Sequence, residues 1–360
     1  MPNSTTTLAS ITAYAKTFSD IADIVQSPAA GSTLIPALTM ATDTMIEMIQ
    51  QACNWKWNRM AAGTQFPLFY TNGFQQDYAI PGLVNLGWIE HGELIDINNT
   101  AIPKPVWPLE VVRDLPFTSA QYGRPGQVCW LPNDQLYYAT WGATNTGNSS
   151  IGLNPGPNMV IGTLLGVYAA PINPILQVQD AFGNLWVVTT FGTTGATNPF
   201  ASNLNPVYPS TQNPNQVATT VTDGSVVWTA VNPKGMGIRC NPIPPQTGIV
   251  YQFFLTGQWR ALTFQNGPFS SLTQTIEPVP DDFAKYFRDG FVAMCYMHSS
   301  DPRKQAKGQT MFANWQKSLL NARQQMDRER ENSGFYAASV VQQSPGSLYP
   351  GPSFPFNLPY

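Results

Sequence analysis

The chain has 360 residues, 43% of them apolar, with 18 basic against 21 acidic side chains and a net charge of −3, a length that allows two or three domains with real cores. Charged residues make up only 11%, well under half the usual share, while 32 prolines and 28 glycines are in excess, so solubility rests on amides and hydroxyls. The near-neutral balance excludes a high-affinity nucleic-acid binder, which needs clustered Lys and Arg without matching acids, but it suits a surface along which DNA slides without sticking.

Residues 1–33 are polar and Thr/Ser-rich and read as an arm or a loosely attached helix. Ser32 or Thr33 is placed to cap the next helix, with Pro36 in its first turn, where the missing N–H costs nothing. Leu38, Ala41, Met45, Met48 and Ala52 recur at helical spacing, and Ile46, Ile49 and Cys53 widen the stripe, so this helix is buried on more than one side. Trp55 and Trp57 at its end are positioned to staple it to a following β layer. Strand signals then run through 65–70, 83–89, 93–97 and 108–112, each bounded by Gly, Pro or Asn.

A Gly/Asn/Thr/Ser/Pro loop over 141–158 leads into a second strand-rich stretch. Ile175–Asp180 and Leu185–Thr189 flank Phe182-Gly183-Asn184 as a hairpin, and Asp223-Gly224-Ser225 precedes the strand at Val226–Thr229. These predict an inserted β-sandwich over 160–233, with 198–216 as one long loop. Strands at 237–243, 248–255 and 259–263 then complete the sheet begun before residue 136. The core is thereby divided into 34–159 and 234–277. Pro278–Asp282 stops the sheet and caps a helix with Phe283, Phe287, Phe291, Met294 and Cys295 on one face. Ser300-Asp301-Pro302 restarts the chain as a longer helix, to about Glu331, with Met311, Trp315, Leu319, Ala322 and Met326 at helical spacing. The helical pair occupies 278–332. An extended, Pro/Gly/aromatic tail over 333–360 follows. The predicted class is α+β: a helical bundle made of the early helix and the C-terminal pair, a small β domain and an inserted sandwich.

Nine of the 18 Lys and Arg residues lie between Lys285 and Arg330, whereas Ala139–Pro233 carries only Asp180 and Asp223. Such segregation assigns assembly to the helices and display to the β region. Charged helices facing identical helices in a ring fix subunit register through opposite charges. The candidate interface residues are Arg303, Lys304, Lys307, Trp315, Arg323 and Arg328 on the helices, with Tyr349, Phe354, Phe356 and Tyr360 as aromatic anchors on the tail. Catalytic chemistry has little to stand on. The two histidines, His91 and His298, lack triad or zinc neighbours, and His298 suits a helix C-terminus. There is no nucleophile elbow, phosphate loop or dinucleotide motif. Glu90 with Glu93, or Asp281 with Asp282, are the carboxylate pairs a glycosidase would need, but the second pair reads as an N-cap and first turn. Cys53, Cys129, Cys240 and Cys295 are too dispersed for a metal or redox motif and read as reduced core residues. No basic start followed by an apolar run precedes residue 26, and no 18-residue apolar stretch exists, so a cytoplasmic origin without a membrane span is expected.

Cys53-Asn-Trp-Lys-Trp-Asn58, Tyr78-Ala-Ile-Pro81, and the pair running from Phe283-Ala-Lys-Tyr-Phe287 through Met297 to a long helix with Trp315, Ala322-Arg323 and Asp327-Arg-Glu329 carry a resemblance. Over 34–136 and 234–331 the chain resembles the head-to-tail adaptor, or connector, proteins of tailed bacteriophages, especially the tail tubular protein A type. Asp180-Ala-Phe-Gly-Asn184, Thr189–Gly195 and Asp223-Gly-Ser-Val-Val-Trp-Thr229 make the insert similar to the Ig-like or carbohydrate-binding-like modules of phage virion proteins. The resemblance implies a non-enzymatic neck protein, made in the host cytoplasm and needing no cofactor or metal. It implies a ring, typically of twelve copies, between the portal protein and the tail tube or nozzle, with double-stranded DNA passing through it non-specifically. Two other readings are a tail or decoration protein gripping host glycan, with Trp186 and Trp228 as an aromatic platform, and a neck-associated glycan hydrolase.

Overall fold

A computed structural model describes residues 5–18, 20, 36–60, 62–63, 66–81, 83, 86–97, 99, 101–117, 121–143, 154–161, 176–209, 216–245, 250–260, 275–276 and 279–342, with the side chains of 36–40 and 325–342 outside that description. The candidate caps Ser32 and Thr33, and the tail residues Tyr349, Phe354, Phe356 and Tyr360, lie outside it too.

The helices are α1 (Leu8–Lys16), α2 (Pro36–Gln51), α3 (Ala284–Met297) and α4 (Pro302–Gln342). The predicted stripes do meet: Ala41, Met45, Ile46 and Ile49 of α2, Phe287, Phe291 and Cys295 of α3, and Trp315, Leu319 and Ala322 of α4 share one buried cluster. Helix α1 is a correction to the loose arm. Leu8, Ile11 and Ala15 sit in the same cluster, and Thr7 caps the helix by accepting the Ser10 N–H. Three apolar residues at helical spacing suffice when other elements supply the rest of the core, however polar the segment is on average. Trp55 and Trp57, stacked at 5.9 Å, also belong to the helical cluster, against Phe283, rather than to the β layer. The staple is Asn58, which accepts from Gln50 Nε2 at 2.8 Å and donates to Trp259 O at 3.0 Å.

Helix α4 outruns its expected end by eleven residues, so 333–342 is helical rather than extended tail. A lone Gly334 costs a helix only about 1 kcal/mol, and no proline follows until Pro345.

The strands are β1 (Arg59–Met60), β2 (Phe69–Tyr70), β3 (Asp77–Ala79), β4 (Leu86–Asp96), β5 (Val106–Val111), β6 (Gln127–Pro132), β7 (Val160–Ile161), β8 (Gln177–Gln179), β9 (Leu185–Thr190), β10 (Gly192–Thr193), β11 (Thr220–Asp223), β12 (Val226–Val231), β13 (Met236–Asn241) and β14 (Tyr251–Trp259). Eight form a sheet in the order β1-β14-β4-β5-β6-β13-β3, with β2 also on β14; only β5 and β6 pair in parallel. Strand β4 is one element where the sequence suggested two, and β14 likewise. Their internal glycines permit contact rather than ending the strand: a Cβ at Gly92 would lie 2.9 Å from Leu255 Cδ2, and one at Gly257 2.7 Å from Leu86 Cδ1.

Between β6 and β13 the chain leaves this sheet and builds a four-stranded one, β11-β12-β9-β8, and a β7–β10 pair. Trp186, Trp228 and Phe200 fill their core. The turn at Phe182-Gly183-Asn184 joins β8 to β9, with Gly183 at φ +85°. Leu185, Val187 and Val231 pack against Ala79 and Leu136 of the main body. Gln177 reinforces that junction, accepting the Ala79 N–H at 2.6 Å and donating to Tyr137 O at 2.8 Å. The architecture as a whole is mixed α and β, and rich in sheet.

Candidate assembly surface

Helices α3 and α4 approach closely because glycines sit at the contact. A Cβ on Gly290 would fall 2.8 Å from Trp315 Cε2 and run into Met45 Sδ, and one on Gly308 would fall 2.7 Å from the Met297 backbone nitrogen. Trp315 Nε1 donates to Tyr286 O at 2.8 Å, which locks the indole between the helices. The outer face of α4 is mostly polar or small, with Arg303, Ala306, Lys307, Ala313, Lys317 and Arg323 exposed and Leu320 half-exposed among them.

Two carboxylates tie the N-terminal segment to this pair. Asp20 accepts from Tyr296 OH at 2.6 Å and from Lys307 Nζ at 2.8 Å, and Lys307 Nζ lies 4.3 Å from the centre of the Tyr296 ring. The Lys307 hydrogen bond first, and the Tyr296 one after it, bring the Asp20 pKa from 3.8 down to about 2. Asp281 accepts from the Thr5 and Thr6 hydroxyls at 2.6 Å each and from their backbone N–H groups at 3.1 and 2.9 Å. Those bonds, the Thr5 hydroxyl foremost, hold its carboxyl well below the usual range. The expected N-cap role of Asp281 is therefore a misreading. Residues 281–283 form a 3-10 turn with no side-chain cap, and the carboxylate clamps the other end of the chain.

Of the candidate interface residues, Arg303, Lys307 and Arg323 are on the surface and Lys304 is partly covered. Lys307 is engaged within its own chain. Trp315 is corrected in part: at 4% exposure it packs between α3 and α4, because its spacing with Leu319 and Ala322 marks the inner face, and the little it shows lines a cleft with Phe18 and Met311. Arg328 lies on the α4 backbone with its side chain outside the description.

The residues considered for chemistry or glycan binding are otherwise occupied. Trp186 and Trp228 are fully buried, and their indole N–H groups donate to Asp180 and Asp223 within the insert. Both hairpins thus use one device, an acid at the turn that satisfies a core indole. Glu90 accepts from Gln258 Nε2 at 3.0 Å and lies 3.6 Å from Arg59 Nε, while Glu93 pairs with His91 at 3.1 Å. His298 does close α3. Among the described residues no acidic, His or Cys group could hold a metal ion, and no helix is long and apolar enough to cross a membrane. The four cysteines are free, three of them buried.

One buried charge pair escaped the sequence reading. Arg239 on β13 faces Asp77 on β3 in register, with Nε to Oδ1 at 2.7 Å and Nη2 to Oδ2 at 2.8 Å. It also donates to Leu115 O and Gln135 O, each at 3.2 Å. Burial pushes the Asp77 carboxyl up, against the pull of the guanidinium. A single base inside the run Met236–Cys240 and a single acid heading Tyr78-Ala79-Ile80 were the available signal. The pair knots the sheet edge to the segment that leads into the insert.

Scans of protein-family models, curated proteins and solved structures find no significant match to this chain.

Proposed function

We propose that this chain is the head-to-tail adaptor of a tailed phage, a non-catalytic ring subunit in the virion neck that joins the portal protein to the tail tube or nozzle and lets double-stranded DNA pass. The observation that carries the reading is the length of α4. Its 41 residues span about 62 Å, whereas the 14-residue α3 it packs on covers about 21 Å. Starting from the Asp301 turn beside the end of α3, α4 is about 40 Å longer than the helix it packs on, so its second half runs on past the reach of α3. Helices in proteins draw most of their stability from packing rather than propensity, and in this reading a neighbouring subunit or the portal packs on that extension. The finer architecture, a helical bundle with an inserted sandwich, and the tail as an aromatic anchor belong to the same proposal. The experiment is native mass measurement of the purified chain, alone and mixed with a portal ring. A particle near twelve times the 39.5 kDa chain mass, or rings formed only on the portal, is expected; trimers would point to a spike or fibre instead.

A further inference from the structure

The loop joining β4 to β5 holds an apolar side chain in water on a framework that is already shaped. Ile102 is 98% exposed and Val106 48%. Beneath them Lys104 Nζ donates to Ile97 O at 2.8 Å and Asn99 O at 3.0 Å, and Asn99 Oδ1 accepts the Ala101 N–H at 2.9 Å. Pro103 and Pro105 stiffen the same stretch. A loop so braced loses little conformational freedom on docking, so Ile102 is a preformed knob. An ammonium has three donors, and two of those on Lys104 are used within the loop. From Ile97 to Leu109 the chain carries no acid; the nearest, Asp96, stands at the foot of the loop, its N–H donating to Pro105 O at 3.0 Å, so Lys104 is the charged group beside the knob's tip.

A matching hole lies on the helical side of the molecule. Phe18, Val292, Met311 and Trp315 line a cleft of about 250 Å³ that also contains the Asp289 carboxylate. Burial pushes the Asp289 pKa up, with Lys285 and Arg288 acting against it. Arg288 is otherwise engaged, its guanidinium over the Tyr14 ring and its Nε on Ala284 O. The cleft therefore offers an apolar floor and one acid still short of a close cation.

We infer that Ile102 of one subunit seats in this cleft of the next copy, with Lys104 facing Asp289. The inference rests on the ring reading above and supplies its contact. Knob and hole are different patches of one surface, so the contact is head-to-tail, the kind that closes into rings rather than two-fold dimers.

The test measures native mass for the chain alone and with a portal ring, on Ile102→Asp, Lys104→Glu, Asp289→Lys and the Lys104→Glu/Asp289→Lys double variant. Circular dichroism serves as a check that each folds. At least a tenfold loss of ring is expected for Ile102→Asp and for each charge variant, with recovery in the double variant. Rings of normal yield from Ile102→Asp overturn the contact while leaving the adaptor reading intact. So does a double variant no better than either single one. Intact rings with portal binding lost would assign Ile102 to the portal and overturn it as well. A wild-type chain that stays monomeric both alone and on the portal overturns the ring reading and the contact together.

Discussion

Asp77 and Arg239 are 0% and 8% exposed at their side chains, and removing one partner of a buried ion pair leaves a charge with no solvent to take it. Arg239→Met is expected to lower stability by about 3–5 kcal/mol in denaturant titrations. Adding Asp77→Asn should return part of that loss, because the orphaned charge is then gone. Asp20 gives a second, pH-dependent expectation. Its pKa is lowered on folding, from 3.8 to about 2, so the stability it contributes is present above pH 3.8 and is lost as pH falls through about 2. In Asp20→Asn the acid limb of the stability curve should be flatter across that window; an unchanged limb would mean that the Lys307–Tyr296 contact does not form in solution. Neither role was legible in the sequence. A carboxylate beside a helix start looks the same whether it caps that helix or, as Asp281 does, receives two threonines from 276 and 275 residues upstream.

At the scale of elements, helical period was the clearest signal. The stripes on α2, α3 and α4 were readable because 3.6-residue spacing survives whatever the helix packs on. Glycine was read less well. Gly92 and Gly257 fall in the gaps between predicted strands, but their significance lies in a neighbouring strand's side chains, which no local window contains. Gly290 and Gly308 carry the same lesson for α3 and α4 and yield a prediction. Gly290→Ala gains about 1 kcal/mol of helix propensity but forces its methyl against Trp315, which its bond to Tyr286 prevents from swinging away. Overpacking of this kind costs about 1–3 kcal/mol, so a net loss near 1 kcal/mol and a lower melting temperature are expected. A stabilised variant would show that the two helices can separate without penalty.

For the whole molecule, strand content was legible, and so was the return of 237–255 to the sheet begun before residue 136, but the order of the strands was not, since β4 with β14 and β6 with β13 pair across more than a hundred positions. The insert illustrates the difference. A sandwich inserted over 160–233 between strands of one sheet would, as an independent module, be replaceable by a short Gly/Ser link without harm to the rest. Leu185, Val187 and Val231 instead share a buried cluster with Ala79 and Leu136, and the Ala79 N–H has its partner in Gln177. Excision is now expected to destabilise the main body by about 3 kcal/mol, from apolar surface returned to water. An excised chain with an unchanged denaturation midpoint would restore the independent-module view. The class of the molecule, α with β, followed from composition and period; the docking of its parts required coordinates.

The stitching of residues 5–7 to 275–281 has a consequence in time. Chains are made N-terminal end first, and α1 and α2 emerge from the ribosome with bare apolar stripes more than two hundred residues before α3 and α4 can cover them. The eight-stranded sheet closes when β14 arrives, but the helical face waits for α3 and α4. A chain interrupted anywhere before that point lacks the surface proposed for joining a particle. Translation of α3 and α4 and burial of the early stripes then become the same event, and a copy cut short before them keeps the apolar faces of α1 and α2 bare.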